Sequence, residues 1–114
     1  MSFAPVQNVP PTAVPVGAPL LDVREPEEWA AGHPEGALHI PIGQVVERLP
    51  EIREAAGNDT LYVVCKVGGR SAQVAAYLAQ QGIAVANVDG GLHAWQDAGR
   101  ALVSDQENTE PFVL

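Results

Sequence analysis

The segment "CKVGGRS" (residues 65–71) gathers the chain's one cysteine, two glycines and two of its six cations into seven residues. A thiol becomes a nucleophile when it ionises, and nearby cations, helix N-termini and backbone N–H groups all favour the thiolate. Gly68 and Gly69 let the chain turn so that several amides point into one concavity. Lys66 and Arg70 would support the thiolate and hold an anionic substrate against it. Position alone leaves Cys65 open between nucleophile and packed hydrophobe, because free cysteines are among the most buried residues. The adjoining glycines and cations move the reading toward nucleophile. Arg70 adds to this: at a helix start it opposes the macrodipole, so it requires a local anion or carboxylate. Lys66 taken alone reads as a solvated side chain.

The remaining chemistry-bearing residues are less suggestive. His33, His39 and His93, with Cys65, lack the close pair spacings of metal ligands, so no metal is expected and nothing implies a resident cofactor. Asp22 and Arg24 flank a strand end, where they could touch substrate, but a structural ion pair with Glu27 or Glu28 is the stronger reading. Trp29 and Trp95 read as core or helix-packing residues.

The elements that must position Cys65 follow from the pattern of apolar runs and breakers. "PLLDV" (19–23) reads as a buried strand, and "REPEEWAAG" as a helix of about two turns with Pro26 in its first turn and Gly32 as its stop. "GALHIP" (36–41) is a second strand. "QVVERLPEIREAAG" reads as two helical pieces broken at Pro50. "TLYVVC" (60–65) shows no polar alternation, as expected of a strand covered on both faces. "RSAQVAAYLAQQG" (70–82) makes a three-turn helix ended by Gly82, "IAVANV" (83–88) a last strand, and "DGGLHAWQDAG" a loop and helix. Residues 1–11 read as a proline-rich lead-in, a short edge strand is expected near Thr12 to Val16, and residues 102–114 read as a polar tail. Strands alternating with helices imply an α/β domain with a parallel sheet and helices on both faces. Sites in such sheets form at the carboxyl ends of the strands, where Cys65 falls.

With 114 residues and 46% hydrophobic content, the chain supports one domain with a real core. A formal charge of −8 argues against nucleic acid and anionic membrane as partners. No apolar run approaches a membrane span, and the N-terminal residues lack a basic start followed by an apolar stretch, so a soluble, unexported protein is expected. A lone cysteine cannot form an internal disulfide, which suits a reducing cytoplasm.

Three segments together, "LLDVREPEEWAAGHPEGALHIP" (20–41), "CKVGGRS" (65–71) and "VDGGLHAWQDAG" (88–99), resemble a single-domain rhodanese, in the family's order and spacing. The resemblance covers roughly residues 12–100, with a domain of residues 12–101. It implies a five-stranded parallel sheet and a catalytic cysteine, Cys65, that carries a persulfide. It also implies a substrate-binding loop of Lys66, Val67, Gly68, Gly69, Arg70 and Ser71. In "GHPEGA" (32–37) the sequence departs from the family's usual apolar residue before proline, a change confined to a connecting loop. The activity implied is sulfur transfer from an anionic donor such as thiosulfate to cyanide, a thiol or a sulfur-accepting protein. Two other readings stand beside it: a persulfide carrier or non-catalytic binding module, and a cysteine-dependent phosphatase. Rhodanese-like phosphatases place five residues between cysteine and arginine, whereas Cys65 and Arg70 enclose four, a tighter loop suited to sulfur.

Overall fold

The computed structural model describes residues 6–106 and 109–114. The first five residues of the predicted lead-in, with Glu107 and Asn108 of the predicted tail, lie outside them. The elements are β1 (Gln7–Val9), β2 (Leu20–Asp22), α1 (Pro26–Ala31), β3 (Leu38–His39), α2 (Leu49–Ala56), β4 (Leu61–Val64), α3 (Gly69–Gln80), β5 (Val85–Val88) and α4 (Gly91–Asp97). The five strands form one sheet in the order β1-β5-β4-β2-β3, and every pairing is parallel. The expected α/β architecture, five parallel strands with helices on both faces, is the one found.

β4 lies at the centre because its side chains are apolar on both faces. Leu61 and Val63 enter one core with Leu21 of β2, Ile52 and Ala56 of α2, and Val74, Ala75 and Leu78 of α3. Val64 enters the opposite core with Val14, Val88 of β5, and Leu92 and Trp95 of α4, against which Tyr62 packs. Burying both faces of one strand removes it from any sheet edge.

Two local readings are corrected. The edge strand expected near Thr12 to Val16 is instead β1, paired with β5 from Gln7 opposite Ala86 to Val9 opposite Val88. Pro11 opens a 3₁₀ turn over Pro11–Ala13, since its fixed φ and missing N–H suit a first turn better than a strand. Pro50 does not break a helix either. It occupies the first turn of α2, where the lost N–H had no intrahelical partner, and the segment before it forms a 3₁₀ turn at Ile42–Gln44.

The segment after α4 returns to the end of α1. Val103 exchanges backbone hydrogen bonds with His33, Asp105 N–H donates to Ala30 C=O, and Phe112 N–H donates to Ala31 C=O. No helix among the described residues is long and apolar enough to cross a membrane.

The turn from β5 into α4 matters most for the site. Leu92 N–H donates to Cys65 C=O at 2.8 Å, and His93 N–H donates to Lys66 C=O at 3.1 Å. The first amides of α4 therefore hold the carbonyls of the cysteine loop from behind. Gly91 has φ +60°, and a Cβ there would overlap the backbone of Cys65 and Lys66. Replacement Gly91→Ala combines left-handed strain with overpacking and should cost about 2–4 kcal/mol. Urea unfolding measures this; a loss below about 0.5 kcal/mol would show that the two backbones are not locked together.

Candidate active site

Cys65 follows the last residue of β4, and the loop it begins leads directly into α3. Gly68 has φ +106°, a left-handed conformation that L side chains resist, and it directs its own amide back at the sulfur. Gly68 N–H donates to Cys65 Sγ at 3.1 Å, Ser71 N–H at 3.4 Å, and Ser71 Oγ lies 3.3 Å away. Cys65 is 1% exposed and packs in the core beside Leu21 and Val63. Burial works to raise its pKa, but the Ser71 hydroxyl and the amides of Ser71, Gly68 and Val67 outweigh it and leave the thiol below its ordinary value. A packed hydrophobe needs no such donors. Convergent donors on a sulfur stabilise negative charge there, whether on a thiolate or on a group bonded to it.

Arg70 finds the carboxylate its position required. Its two terminal nitrogens donate to the two oxygens of Glu28 at 2.7 and 2.9 Å, a bidentate pair across 42 residues of sequence. The Arg70 guanidinium beside Glu28 holds that carboxyl down at about 2. Glu28 in turn raises Arg70, against a smaller opposing effect of burial, and the Cys65 charge adds to the rise. Arg70 is thus oriented and partly neutralised by Glu28.

The position of Glu28 is itself supported. α1 starts with a reciprocal cap in which the Glu25 side chain receives the Glu28 amide and the Glu28 side chain receives the Glu25 amide at 3.0 Å. The other end of α1 is tied by Arg24, which donates to Gly32 C=O at 2.7 Å. Arg24 does not pair with Glu27 or Glu28, as the sequence suggested. It is wholly buried and forks onto Asp22, with Nε–Oδ1 at 3.0 Å and Nη2–Oδ2 at 2.7 Å. A fully buried guanidinium needs a fully buried carboxylate, and Glu27 is on the exposed side of α1.

Ser71 and Asn87 form the polar floor beneath the loop. Ser71 Oγ is 2.6 Å from Asn87 Oδ1, and Asn87 Nδ2 donates to Gly68 C=O and to Asn8 Oδ1. Lys66 is half-buried and forms no ion pair among the described residues, while Val67 is 61% exposed at the loop's outer edge. The structure thus brings Cys65, Gly68, Arg70 and Ser71 together. Sequence reasoning missed Glu28, Asn87 and Asn8, although Arg70 at a helix start pointed to some carboxylate. His33 and His39 are committed elsewhere: each ring stacks on Trp29, and their nitrogens bond to the carbonyls of Trp29 and Arg24. Among the described residues no group of three His, Cys, Asp or Glu could hold a metal ion.

The rhodanese-like domain model matches residues 11–98. The chain belongs to the rhodanese-like family. It is 42% identical over 77 residues to Bacillus subtilis YrkF, provisionally named a sulfur carrier protein, and spans 67% of this chain but only 40% of that one. It is 39% identical over 93 residues to the thiosulfate sulfurtransferase GlpE of Pseudomonas paraeruginosa, covering 80% of this chain and 81% of GlpE. The crystal structure of a rhodanese-related protein from Thermoplasma volcanium superposes with a TM-score of 0.78 at 27% identity, over 85% of this chain and 97% of that one. This rhodanese-like domain is a sulfurtransferase-like protein with one cysteine in its strand-to-helix loop.

Glu28 supplies a prediction with a definite sign. Its folded pKa lies below the ordinary 4.5, so the pair contributes stability above pH 4.5 that is lost as pH falls toward 2. Arg70 is 34% exposed, so solvent screening reduces the effect to about 1–2 kcal/mol. Glu28→Gln should be destabilised by that amount at neutral pH, and the gap should shrink below pH 4.5 and close only as pH falls through about 2 in urea titrations. A gap independent of pH would exclude the ion pair as its cause.

Proposed function

We propose that the protein is a sulfurtransferase that takes sulfane sulfur from a small anionic donor such as thiosulfate and passes it to a thiophilic acceptor through a Cys65 persulfide. The convergence of Gly68, Ser71 and Val67 donors on one sulfur is the observation that carries this reading. The likeness to GlpE adds thiosulfate as the donor to test first.

The cycle has two halves. Cys65 thiolate attacks the outer sulfur of thiosulfate. The new S–S bond forms as the bond to the sulfonate sulfur breaks, and sulfite leaves with the electron pair. The outer sulfur of Cys65–S–S(−) then carries the charge, facing the amides of Val67, Gly68 and Ser71 that turn toward Cys65. Cyanide or a thiolate attacks that outer sulfur, and Cys65 leaves as thiolate. One cysteine is sufficient, and no external electron carrier is needed. Lys66 and Arg70 attract the donor anion, Arg70 with its plane held by Glu28. Because Cys65 is 1% exposed, small donors and narrow, extended acceptor thiols suit the site. A reducing cytoplasm, which keeps a lone thiol reduced, suits this cycle.

A carrier role shares the first half-cycle and differs in the acceptor, a protein thiol in place of cyanide; the likeness to YrkF is what favours keeping it in view. Phosphatase chemistry fits less well, because the four residues between Cys65 and Arg70 leave a tight loop for a phosphoryl group with three equatorial oxygens.

Intact-protein mass spectrometry after incubation with thiosulfate tests the proposal. One added sulfur is expected, absent in Cys65→Ser and removed by cyanide or dithiothreitol. Failure to load sulfur from thiosulfate or any other sulfane donor would sink the sulfurtransferase reading. Release of phosphate from an aryl phosphate, lost in Cys65→Ser, would replace it.

A further inference from the structure

Ser71 has one hydroxyl proton and two acceptors within reach, Cys65 Sγ at 3.3 Å and Asn87 Oδ1 at 2.6 Å. Both Ser71 and Asn87 are buried away from bulk solvent. The Asn87 amide cannot be turned to resolve the competition. Its Nδ2 faces the Gly68 carbonyl at 3.3 Å, an oxygen that only accepts, which leaves Oδ1 toward Ser71. Asn87 Oδ1 and the sulfur therefore compete for one proton.

The outcome depends on the state of the sulfur. When Cys65 is a thiol, its S–H can donate to Ser71 Oγ while the Ser71 O–H donates to Asn87 Oδ1, and every proton has an acceptor. When the sulfur is a thiolate it has no proton to give, and the charged acceptor draws the Ser71 O–H away from Asn87. When the sulfur is the inner atom of a persulfide it is again uncharged, and the hydroxyl is free to return. We propose that Asn87 is a positioning residue that holds the Ser71 hydroxyl away from Cys65 whenever that sulfur is uncharged and yields it when the sulfur is a thiolate. Asn87 thereby disfavours the free thiolate relative to both the thiol and the persulfide. The same side chain grips Gly68 C=O and Asn8 Oδ1, so it ties the loop to the edge strand β1 as it does so.

The inference rests on the reading of Cys65 as a sulfur-carrying nucleophile, but its test reads ionisation rather than sulfur transfer. Thiolate absorbance in the ultraviolet, followed against pH with a Cys65→Ser blank to remove the contribution of the two tyrosines, reports Cys65 in a chain with one cysteine. The groups that could add their own titration are Arg70 on α3, Glu28 on α1, Asp22 and Arg24 at the end of β2, Lys66 in the loop, and Asp89 and His93 around the start of α4. They are unchanged in every variant. Asn87→Leu, similar in size without polar atoms, should lower the Cys65 midpoint by about half a pH unit, since the thiol form loses one neutral hydrogen bond and the thiolate form loses none. Ser71→Ala should raise the midpoint. In the Ser71→Ala background, Asn87→Leu should no longer lower it, and loosening of Gly68 should leave it level or slightly higher.

An unchanged or raised midpoint in Asn87→Leu, or an equal lowering in both backgrounds, would overturn the proposal, because a general loosening of the loop predicts no such dependence on Ser71. Asn87→Val, which favours the strand, takes the place of Asn87→Leu if the latter does not fold. Persulfide formation from thiosulfate in the same proteins keeps the two readings apart. A parent that shows the titration pattern without loading sulfur would refute the transfer activity alone, and the reverse result would refute the role of Asn87 alone.

Discussion

A sulfur 1% exposed can hold negative charge only if polar hydrogens replace the water it has lost, and this constraint organises the surrounding structure. The donors come from one place, the turn from β4 into α3, because a strand end and a helix start are where backbone amides lack partners. Gly68 in the left-handed region aims the first of them, and Ser71 contributes both its amide and its hydroxyl. The loop is kept in that shape by α4, whose first amides hold the carbonyls of Cys65 and Lys66. Gly91 is required there because two backbones meet with no room for a side chain.

Positive charge near the sulfur brings its own demands, and they are met by a series of alternating charges leading away from it. Arg70 is fixed by Glu28, Glu28 by the cap of α1, and the far end of α1 by Arg24, which is itself neutralised by Asp22. Each member is placed by the next. The Asp22–Arg24 pair is fully buried at the end of β2, and breaking such a pair strands a charge at a cost of about 3–5 kcal/mol. This gives a structural reason for the "DVR" of "LLDVREPEEW" (20–29) without any direct contact with substrate. The returning C-terminal segment adds backbone bonds at Ala30, Ala31 and His33, so the helix that presents Glu28 is held at both ends.

The architecture was readable because period and punctuation are local. The apolar run of β4, the glycine and proline breakers and the strand-helix alternation all act within a few residues, and the order β1-β5-β4-β2-β3 is one of the few that right-handed crossovers allow. The errors fell where local signals tie. Residues 7–16 contain proline and valine in a pattern that suits an edge strand at either end, and only pairing with β5 selects Gln7–Val9. Arg24 had four carboxylates within four residues, Asp22, Glu25, Glu27 and Glu28, and burial rather than helical spacing chose Asp22.

By itself the sequence determined that Cys65 stands at the mouth of a glycine-bearing turn beside Lys66 and Arg70, and that this turn ends a buried strand in a parallel sheet. Those are properties of adjacent residues, and adjacency survives without a fold. Tertiary structure alone decided which carboxylate answers Arg70 and which side chain competes for the Ser71 proton. Glu28 is 42 residues from Arg70, and Asn87 is 16 from Ser71 and 79 from Asn8. Hydrogen bonds select partners by distance and direction in space, and no periodicity along the chain records which distant strand or helix will supply them.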